Sequence, residues 1–390
     1  MGISFGKKMA VKWVSSKRSQ LIGACAFFFI TYAVIASLPQ SPTNNILERS
    51  CSCSHKNVTY DFCYHLPKNR MIKGRPFDCN FSTYLEELEI LPLKKIVDLV
   101  TEEMPVPAFV TAMSQNHYAE GLTLIANLRS LWPRQKVIVY DLGLDPESKK
   151  ELQKKCLVEV RSFPFERFPR YVHDLTQFRW KPLLIGMALK EFGAIWYMDT
   201  SVRWKRDCRK SVYNEITCRK KFKPAHFPRP FLPTGPANSG CKKPAYMLHS
   251  PSHHSIFAAT HPGMYSYIPT DIEAIKKNES MNYDANFQFI VKTTDALEIL
   301  KWYVLCALEK ECMAPYAARV WCDFKNDQYY RYAGCHRYDQ SAINLLLANS
   351  YGYNIANYVS NLGDGAVIDR SAKSGLTEED FSCTERVVHS

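Results

Sequence analysis

Lys136-Val137-Ile138-Val139-Tyr140-Asp141-Leu142-Gly143 sets an apolar run against an Asp-Leu-Gly turn, the pattern of a short buried strand that ends abruptly. Its surroundings repeat the pattern. Upstream, Ala108 to Ala112 (Ala-Phe-Val-Thr-Ala) reads as a first strand, and Glu120 to Leu131 places Leu122, Ile125, Leu128 and Leu131 at helical spacing. Downstream come a polar helix over Glu147 to Lys155 and a third strand over Leu157 to Ser162. Gln177 to Phe192 is again helical, with Leu183, Leu184, Met187, Ala188 and Phe192 on or near one face, and Ala194 to Met198 is a fourth strand. Strands alternating with helices predict an α/β fold, a mixed but mostly parallel sheet flanked by helices on both faces. Right-handed crossovers gather the loops after the strand C-termini on one edge, where open α/β sheets bind ligands. A strand near Phe287 to Val291 and an amphipathic helix over Asp295 to Glu309 extend the same core.

The N-terminus tells where this domain works. Residues 1–20 carry Lys7, Lys8, Lys12, Lys17 and Arg18 and no acid, and residues 21–38 carry no charge. As a helix the apolar run spans roughly 27 Å, enough to cross a bilayer's hydrocarbon core. The basic flank holds the N-terminus cytoplasmic and sends the remainder across. A cleaved signal peptide is the alternative, with Val34 and Ala36 at a cleavage site; the long basic flank and the length of the run favour an uncleaved anchor. The expected layout is a cytoplasmic tail (1–20), an anchor in the lipid bilayer (21–38), a lumenal Cys-rich stem (39–105) and a lumenal domain (106–390). Within the stem, Tyr84 to Val100 reads as one amphipathic helix, with Leu85, Leu88, Leu91 and Leu93 among its apolar positions.

Cysteines and glycosylation sequons agree with translocation. Thirteen of the 14 Cys lie beyond the apolar run, in no zinc-like spacing, so disulfides are expected, Cys306 with Cys312 and Cys322 with Cys335 being near enough in sequence to pair. An odd number leaves at least one free or intermolecular thiol. Asn57, Asn80 and Asn278 each open an Asn-x-Ser/Thr sequon. Of the net charge of +12, the tail supplies +5, and Arg203 to Lys243 holds twelve Lys/Arg against two acids, or +10; the rest is close to neutral. Nucleic acid does not suit a lumenal domain, and the basic segment is either a site for a phosphate-bearing or sulphated ligand or for an anionic membrane surface, or a solvated loop.

The residues that carry chemistry stand where strands end. Trp196-Tyr197-Met198-Asp199-Thr200-Ser201 closes the fourth strand on an acid at the ligand edge; a turn-capping Asp is the plainer reading. Asp141 ends the second strand with the same two readings. Asp339 opens a helical run, Asp339 to Leu347, as N-cap or as a functional carboxylate, with His336 three residues before. His249, His253, His254 and His261 cluster in sequence, but Pro251 and Pro262 interrupt any metal-binding helix. Gly-x-Ser-x-Gly, His-Glu-x-x-His and a close carboxylate pair are absent, which argues against a hydrolase.

This layout resembles the GT-A (Rossmann-like) class of nucleotide-sugar glycosyltransferases, in which a strand ends in a short acidic motif, often Asp-x-Asp. A closer likeness is to an uncharacterised, nematode-expanded invertebrate family of type II membrane proteins of this class. Phe109 to Ala112, Tyr140 to Leu144, Arg179-Trp180-Lys181-Pro182, Asp199-Thr200-Ser201 and His336-Arg337-Tyr338-Asp339-Gln340-Ser341 carry it, across about residues 106–350. The resemblance implies a Golgi or endoplasmic-reticulum enzyme moving a sugar from a nucleotide-sugar donor, a UDP-sugar for preference, to a glycan or glycoprotein acceptor. It implies Mn²⁺ or Mg²⁺ at Asp199, helped by His336, bridging the donor diphosphate. It makes Asp199 and Asp339 the catalytic candidates, and Thr111, Asp141, Arg179 and Lys181 donor-binding ones. One departure weakens the metal: the third motif position is Ser201, so Arg206 and Arg209 of the adjoining basic segment are expected to take over part of its work. The rival reading, which Ser201 favours, is a non-catalytic descendant that binds glycans or acts as a chaperone.

Overall fold

The computed structural model describes residues 50–217 and 243–384. The chain divides into two units, Met1–Glu48 and Arg49–Ser390, and every described residue belongs to the second. The expected tail and anchor, and the part of the basic segment from 218 to 242, lie outside the described residues. Among the described residues no helix is long and apolar enough to cross a membrane.

The strands are β1 (Ser52–His55), β2 (Val58–Asp61), β3 (Ala108–Met113), β4 (Val137–Asp141), β5 (Val158–Ser162), β6 (Ala194–Met198), β7 (Val202–Trp204), β8 (Tyr246–Leu248), β9 (Pro251–Ser255), β10 (Met281–Tyr283), β11 (Phe287–Val291) and β12 (Ala366–Ile368). The helices are α1 (Ser82–Glu87), α2 (Tyr118–Leu131), α3 (Pro146–Lys154), α4 (Trp180–Phe192), α5 (Arg209–Thr217), α6 (Thr294–Leu308), α7 (Lys310–Met313) and α8 (Asp339–Ser350). Six strands form the central sheet in the order β5-β4-β3-β6-β11-β8. Neighbours among β5, β4, β3 and β6 are parallel, while β11 runs antiparallel between β6 and β8. The sheet is thus mixed and mostly parallel, as its apolar runs require: β6 and β11 are buried at every position, since both faces are covered.

Local chemistry sets the element ends. Asp145 caps α3 by accepting the Ser148 N–H, with Pro146 at the first helical position, and Thr293 caps α6 through the Ala296 N–H. Gly193, at φ 71°, closes α4 in a left-handed conformation and feeds β6 directly. From β3 the chain steps outward to β4 and β5, then returns to place β6 on the other side of β3. Loops leaving β3 and β6 therefore diverge, which opens a crevice at the sheet's C-terminal edge.

Two expectations change. The helix expected over Tyr84 to Val100 is only α1; Glu89 takes φ 58°, and Pro92 follows, so the chain cannot continue as a helix. Residues 50–105, expected as a spacer, flank the sheet instead. Phe62, Tyr64, Phe77, Leu85 and Leu88 join the same apolar core as the strands, and the buried Lys292 ammonium reaches Glu89 at 2.7 Å. Their sparse, irregular apolar spacing hid that burial. Disulfides Cys51–Cys63 and Cys53–Cys79 staple this flank. Cys306–Cys312 and Cys322–Cys335 form as expected, Cys156–Cys383 ties the far end of the chain to the β5 side, and Cys208 is the free thiol among the described residues.

Candidate active site

At the end of β6 the Asp199 N–H donates to the carbonyl of Asn286 at 2.7 Å, so Asp199 is the first residue beyond the sheet. Its carboxylate meets two donors: the Tyr197 hydroxyl on Oδ1 at 2.5 Å and the Lys181 ammonium on Oδ2 at 3.0 Å. Lys181 rises from the first turn of α4. Its Nζ also lies 2.8 Å from Asp339 Oδ2 and 3.4 Å from the Ala285 carbonyl. Asp339 is the first residue of α8; Tyr338 is the N-cap and makes no capping bond, so the Asp339 carboxylate is turned to Lys181. One ammonium thus bridges two carboxylates drawn from three distant parts of the chain.

Burial grades the three. The side chains of Lys181 and Asp339 are 3% and 6% exposed, that of Asp199 27%. Asp199 alone offers its face to a ligand. Burial pushes the Asp339 carboxyl above its ordinary range, and Lys181 opposes the rise. Burial alone would depress Lys181, but the charges of Asp199 and Asp339 outweigh it, so the amine stays protonated. The two elements that deliver Lys181 and Asp339 are entered through strained backbone. Phe178 sits at φ 53° and Tyr338 at φ 42°, with their rings 6.4 Å apart.

A second group of polar side chains adjoins the bridge. Because β11 runs antiparallel to β6, its approach, residues 282–286, arrives on the ligand edge. Asp284 Oδ1 accepts the Ser252 hydroxyl at 2.7 Å, and Ser252 Oγ accepts Gln340 Nε2 at 2.7 Å. Burial pushes the Asp284 carboxyl up, against Ser252 and the charges of Arg370 and Arg337. The pairing of β7 with β12 lays the C-terminal segment along the Asp199-Thr200-Ser201 turn: Asp369 N–H donates to the Ser201 carbonyl at 2.8 Å, and Arg203 Nη2 to the Ser371 carbonyl at 3.0 Å. Thr200 Oγ1 donates to Glu120 Oε1 on the first turn of α2 at 2.6 Å. Sequence reasoning missed Asp284, Asn286 and Arg370. The signal for the first two was present, since Asn282-Tyr283-Asp284-Ala285-Asn286 immediately precedes a buried strand.

The remaining candidates stand apart from the bridge among the described contacts. Arg179 is buried and donates to the Ala307, Glu309 and Lys310 carbonyls at 2.8, 3.0 and 2.6 Å, which caps the C-terminus of α6; burial lowers its guanidinium to about 10. Asp141 Oδ1 accepts the N–H groups of Gly143 and Leu144 at 2.8 and 2.7 Å, and its Oδ2 lies 2.9 Å from Lys149 Nζ. That is the turn-forming role. Thr111 lies within β3, fully buried, its hydroxyl unpartnered among the described residues. Arg206 pairs with Asp364 on the surface at 2.5 Å. Arg209 pairs with Asp207 and lies over the Trp132 ring at 4.3 Å.

His336 is not free to bind a metal. Its Nδ1 accepts the His261 N–H at 3.1 Å and its Nε2 donates to the Met313 carbonyl at 3.1 Å, a network that assigns the neutral Nε2–H form. Burial drives that ring to about 3. His249 packs on Trp196 and Phe287, and His254 on Phe324. Among the described residues the one group of three candidate metal ligands is Cys51, Asp61 and Cys63, whose cysteines are bonded to each other. Around Asp199 the described side chains bring no such group of three together.

A family model described as "Protein of unknown function (DUF1647)" matches residues 50–186. No curated protein matches the chain. Among solved structures, the galactosyltransferase LgtC with donor and acceptor sugar analogs is 12% identical over 61% of this chain and 70% of its own, with a TM-score of 0.32. The bifunctional glycosyltransferase WbbM is 11% identical over 67% of this chain and 39% of its own, at 0.34. Core-mannan synthase A from Aspergillus fumigatus, in a Mn/GDP form, is 12% identical over 66% and 74%, at 0.33. Likeness at these scores carries no argument about this chain. The family match covers β3, β4, β5 and Lys181 and stops short of Asp199 and Asp339.

Proposed function

We propose that the protein transfers a sugar from a nucleotide-sugar donor, a UDP-sugar for preference, to a glycan or glycoprotein acceptor. The observation that carries this reading is the Asp199–Lys181–Asp339 bridge at the crevice beside β3 and β6, the position where an open α/β sheet receives a ligand. Three landmarks that resemble the GT-A class on sequence converge there. Asp199, the exposed member, faces the donor; Lys181 fixes its orientation and lowers the local negative charge. Asp339 lies too deep to meet an acceptor hydroxyl as a general base, so it acts by positioning Lys181. The likeness to the invertebrate type II family, and anchoring in a Golgi or endoplasmic-reticulum membrane through residues 21–38, belong to the same proposal. The apolar run and the exposed Asn57, Asn80 and Asn278 sequons support them.

The rival, a glycan-binding or chaperone-like protein without activity, is favoured by two observations: a serine stands at 201 where the resembled motif often has an acid, and both Asp199 oxygens are already engaged within the protein. Calorimetry on the full chain with UDP and UDP-sugars, with and without Mn²⁺, separates the two. Nucleotide binding, with donor hydrolysis or transfer that falls at least about 10²-fold in Asp199→Asn, supports the enzyme. Failure of every nucleotide to bind supports the rival.

A further inference from the structure

We propose that Arg337 and Arg370 form a two-arginine clamp for a diphosphate, supplying the positive charge that a divalent cation supplies in the class this site resembles. The inference rests on the donor-site reading above. Both arginines are placed by the bridge's own supports. Arg337 precedes Asp339 by two residues, and its backbone N–H is held by the Ala259 carbonyl at 3.1 Å. Arg370 lies between Asp369, whose N–H holds the Ser201 carbonyl, and Ser371, whose carbonyl holds Arg203. Ser201 is two residues from Asp199. Both clamp residues thus sit on segments tied to the Asp199 turn and its bridge, one at the start of α8 and one on the C-terminal segment.

Among the described residues neither guanidinium makes a hydrogen bond or an ion pair, and Arg337 Nε is buried with nothing to donate to. Arg179, Arg203, Arg206 and Arg209, by contrast, are each committed to carbonyls or to an acid. Asp284 stands in the field of both guanidiniums without an ion pair to either, and two cations at one site repel unless an anion joins them. A buried donor without an acceptor is costly, and bidentate phosphate oxygens are the acceptors that fit a guanidinium fork. With Lys181 and Tyr197 already on the Asp199 oxygens, the site handles anionic charge with fixed cations. No covalent step is involved.

Calorimetry on the full chain tests this, with inorganic pyrophosphate and UDP as probes in EDTA and in Mn²⁺. Both probes are expected to bind in EDTA. Arg337→Gln and Arg370→Gln are each expected to weaken pyrophosphate about tenfold or more, the Lys substitutions less, and Arg206→Gln not at all. Thermal melts report folding, and the exposed Arg370 keeps the test valid where Arg337→Gln lowers stability. Pyrophosphate that binds only with Mn²⁺, binds equally to all variants, or does not bind overturns the clamp, and UDP binding that persists then leaves the donor-site reading standing. Pyrophosphate held through the arginines with no binding of UDP or UDP-sugars would keep the clamp and sink that reading.

Discussion

Replacing Lys181 by methionine keeps the length and apolar stem of the side chain and removes the one charge that joins Asp199 to Asp339. Breaking a buried pair from one side costs about 3–5 kcal/mol, because the surviving charge stays buried. Here two carboxylates lose a shared partner, and Asp339, 6% exposed, has no water to replace it. Unfolding entropy of about 2.1 cal/mol/K per residue gives roughly 0.7 kcal/mol/K for a unit of this size, so the melting temperature should fall by about 4–7 °C near neutral pH. The loss must depend on pH. In the parent, burial already raises the Asp339 carboxyl above its unfolded value. Without Lys181 it rises further, and each tenfold weakening of the acid corresponds to about 1.4 kcal/mol. A carboxyl raised on folding binds more protons in the native state, so stability is full below the unfolded value near 4 and is lost as pH climbs through the native one. Lys181→Met should therefore approach the parent near pH 4.5 and fall away by pH 7.5, and adding Asp339→Asn should recover most of the difference. The assay is thermal and urea unfolding of the parent, the single variant and the double variant across that range. A Lys181→Met protein as stable as the parent at pH 7.5, or one whose deficit ignores pH and Asp339→Asn, would refute the bridge.

Arg179→Met should destabilise by about 3 kcal/mol or more through the orphaned α6 carbonyls yet leave the affinity of folded protein for UDP unchanged, whereas Arg206→Gln should alter neither; urea melts with calorimetry decide. His249 and His336, held near 3, and His254, near 4, are neutral in the fold and must each gain a proton on unfolding below about 6.5. Their contribution is whole above that value and is lost as pH falls toward the native values, so stability should drop by up to about 1.4 kcal/mol per pH unit for each ring. An acid series of urea midpoints that stays flat from pH 6.5 to 4.5 would contradict this. Ser201→Asp should weaken pyrophosphate binding in EDTA several-fold and tighten Mn²⁺ binding; unchanged titrations with both probes would show that position 201 does not face the diphosphate.

The alternation of strands and helices was legible because β3, β4 and β6 are short apolar runs, β5 alternates, and α2 and α4 carry apolar residues at helical spacing. Asp199 was legible too, since an acid at the end of an apolar run is poorly placed for a core, whereas Lys181 rested on the resemblance and Asp339 on its place at a helix start. Which of two neighbouring cations faces the site was not. Arg179 and Lys181 are two positions apart at a helix start, hence roughly 200° apart around its axis, and only one can turn to Asp199. Lys181 does so, and Arg179 turns to the end of α6. Strand direction was equally hidden. Asp284 and Asn286 precede β11, and a residue before a strand reaches the C-terminal edge of the sheet only if that strand runs antiparallel. His336 looked like a ligand because sequence does not reveal that both its ring nitrogens meet backbone groups.

Charge balance links the departure at Ser201 to the arginines. With each group ionised, Asp199, Asp339 and Asp284 bring −3, and Lys181, Arg337 and Arg370 bring +3. The cluster is neutral before a ligand arrives. An acid at position 201 would make it −1, a field that repels a diphosphate unless a divalent cation enters with it. A serine there removes that repulsion, and the two unpaired guanidiniums then present their charge to the incoming anion. The buried bridge supplies what such an arrangement needs from the fold: Lys181 cancels the charge of the buried Asp339 and leaves Asp199 as the more exposed acid of the bridge. On the clamp proposal, the charge that meets a diphosphate beside Ser201 lies in Arg337 and Arg370, not in the basic segment that follows the motif.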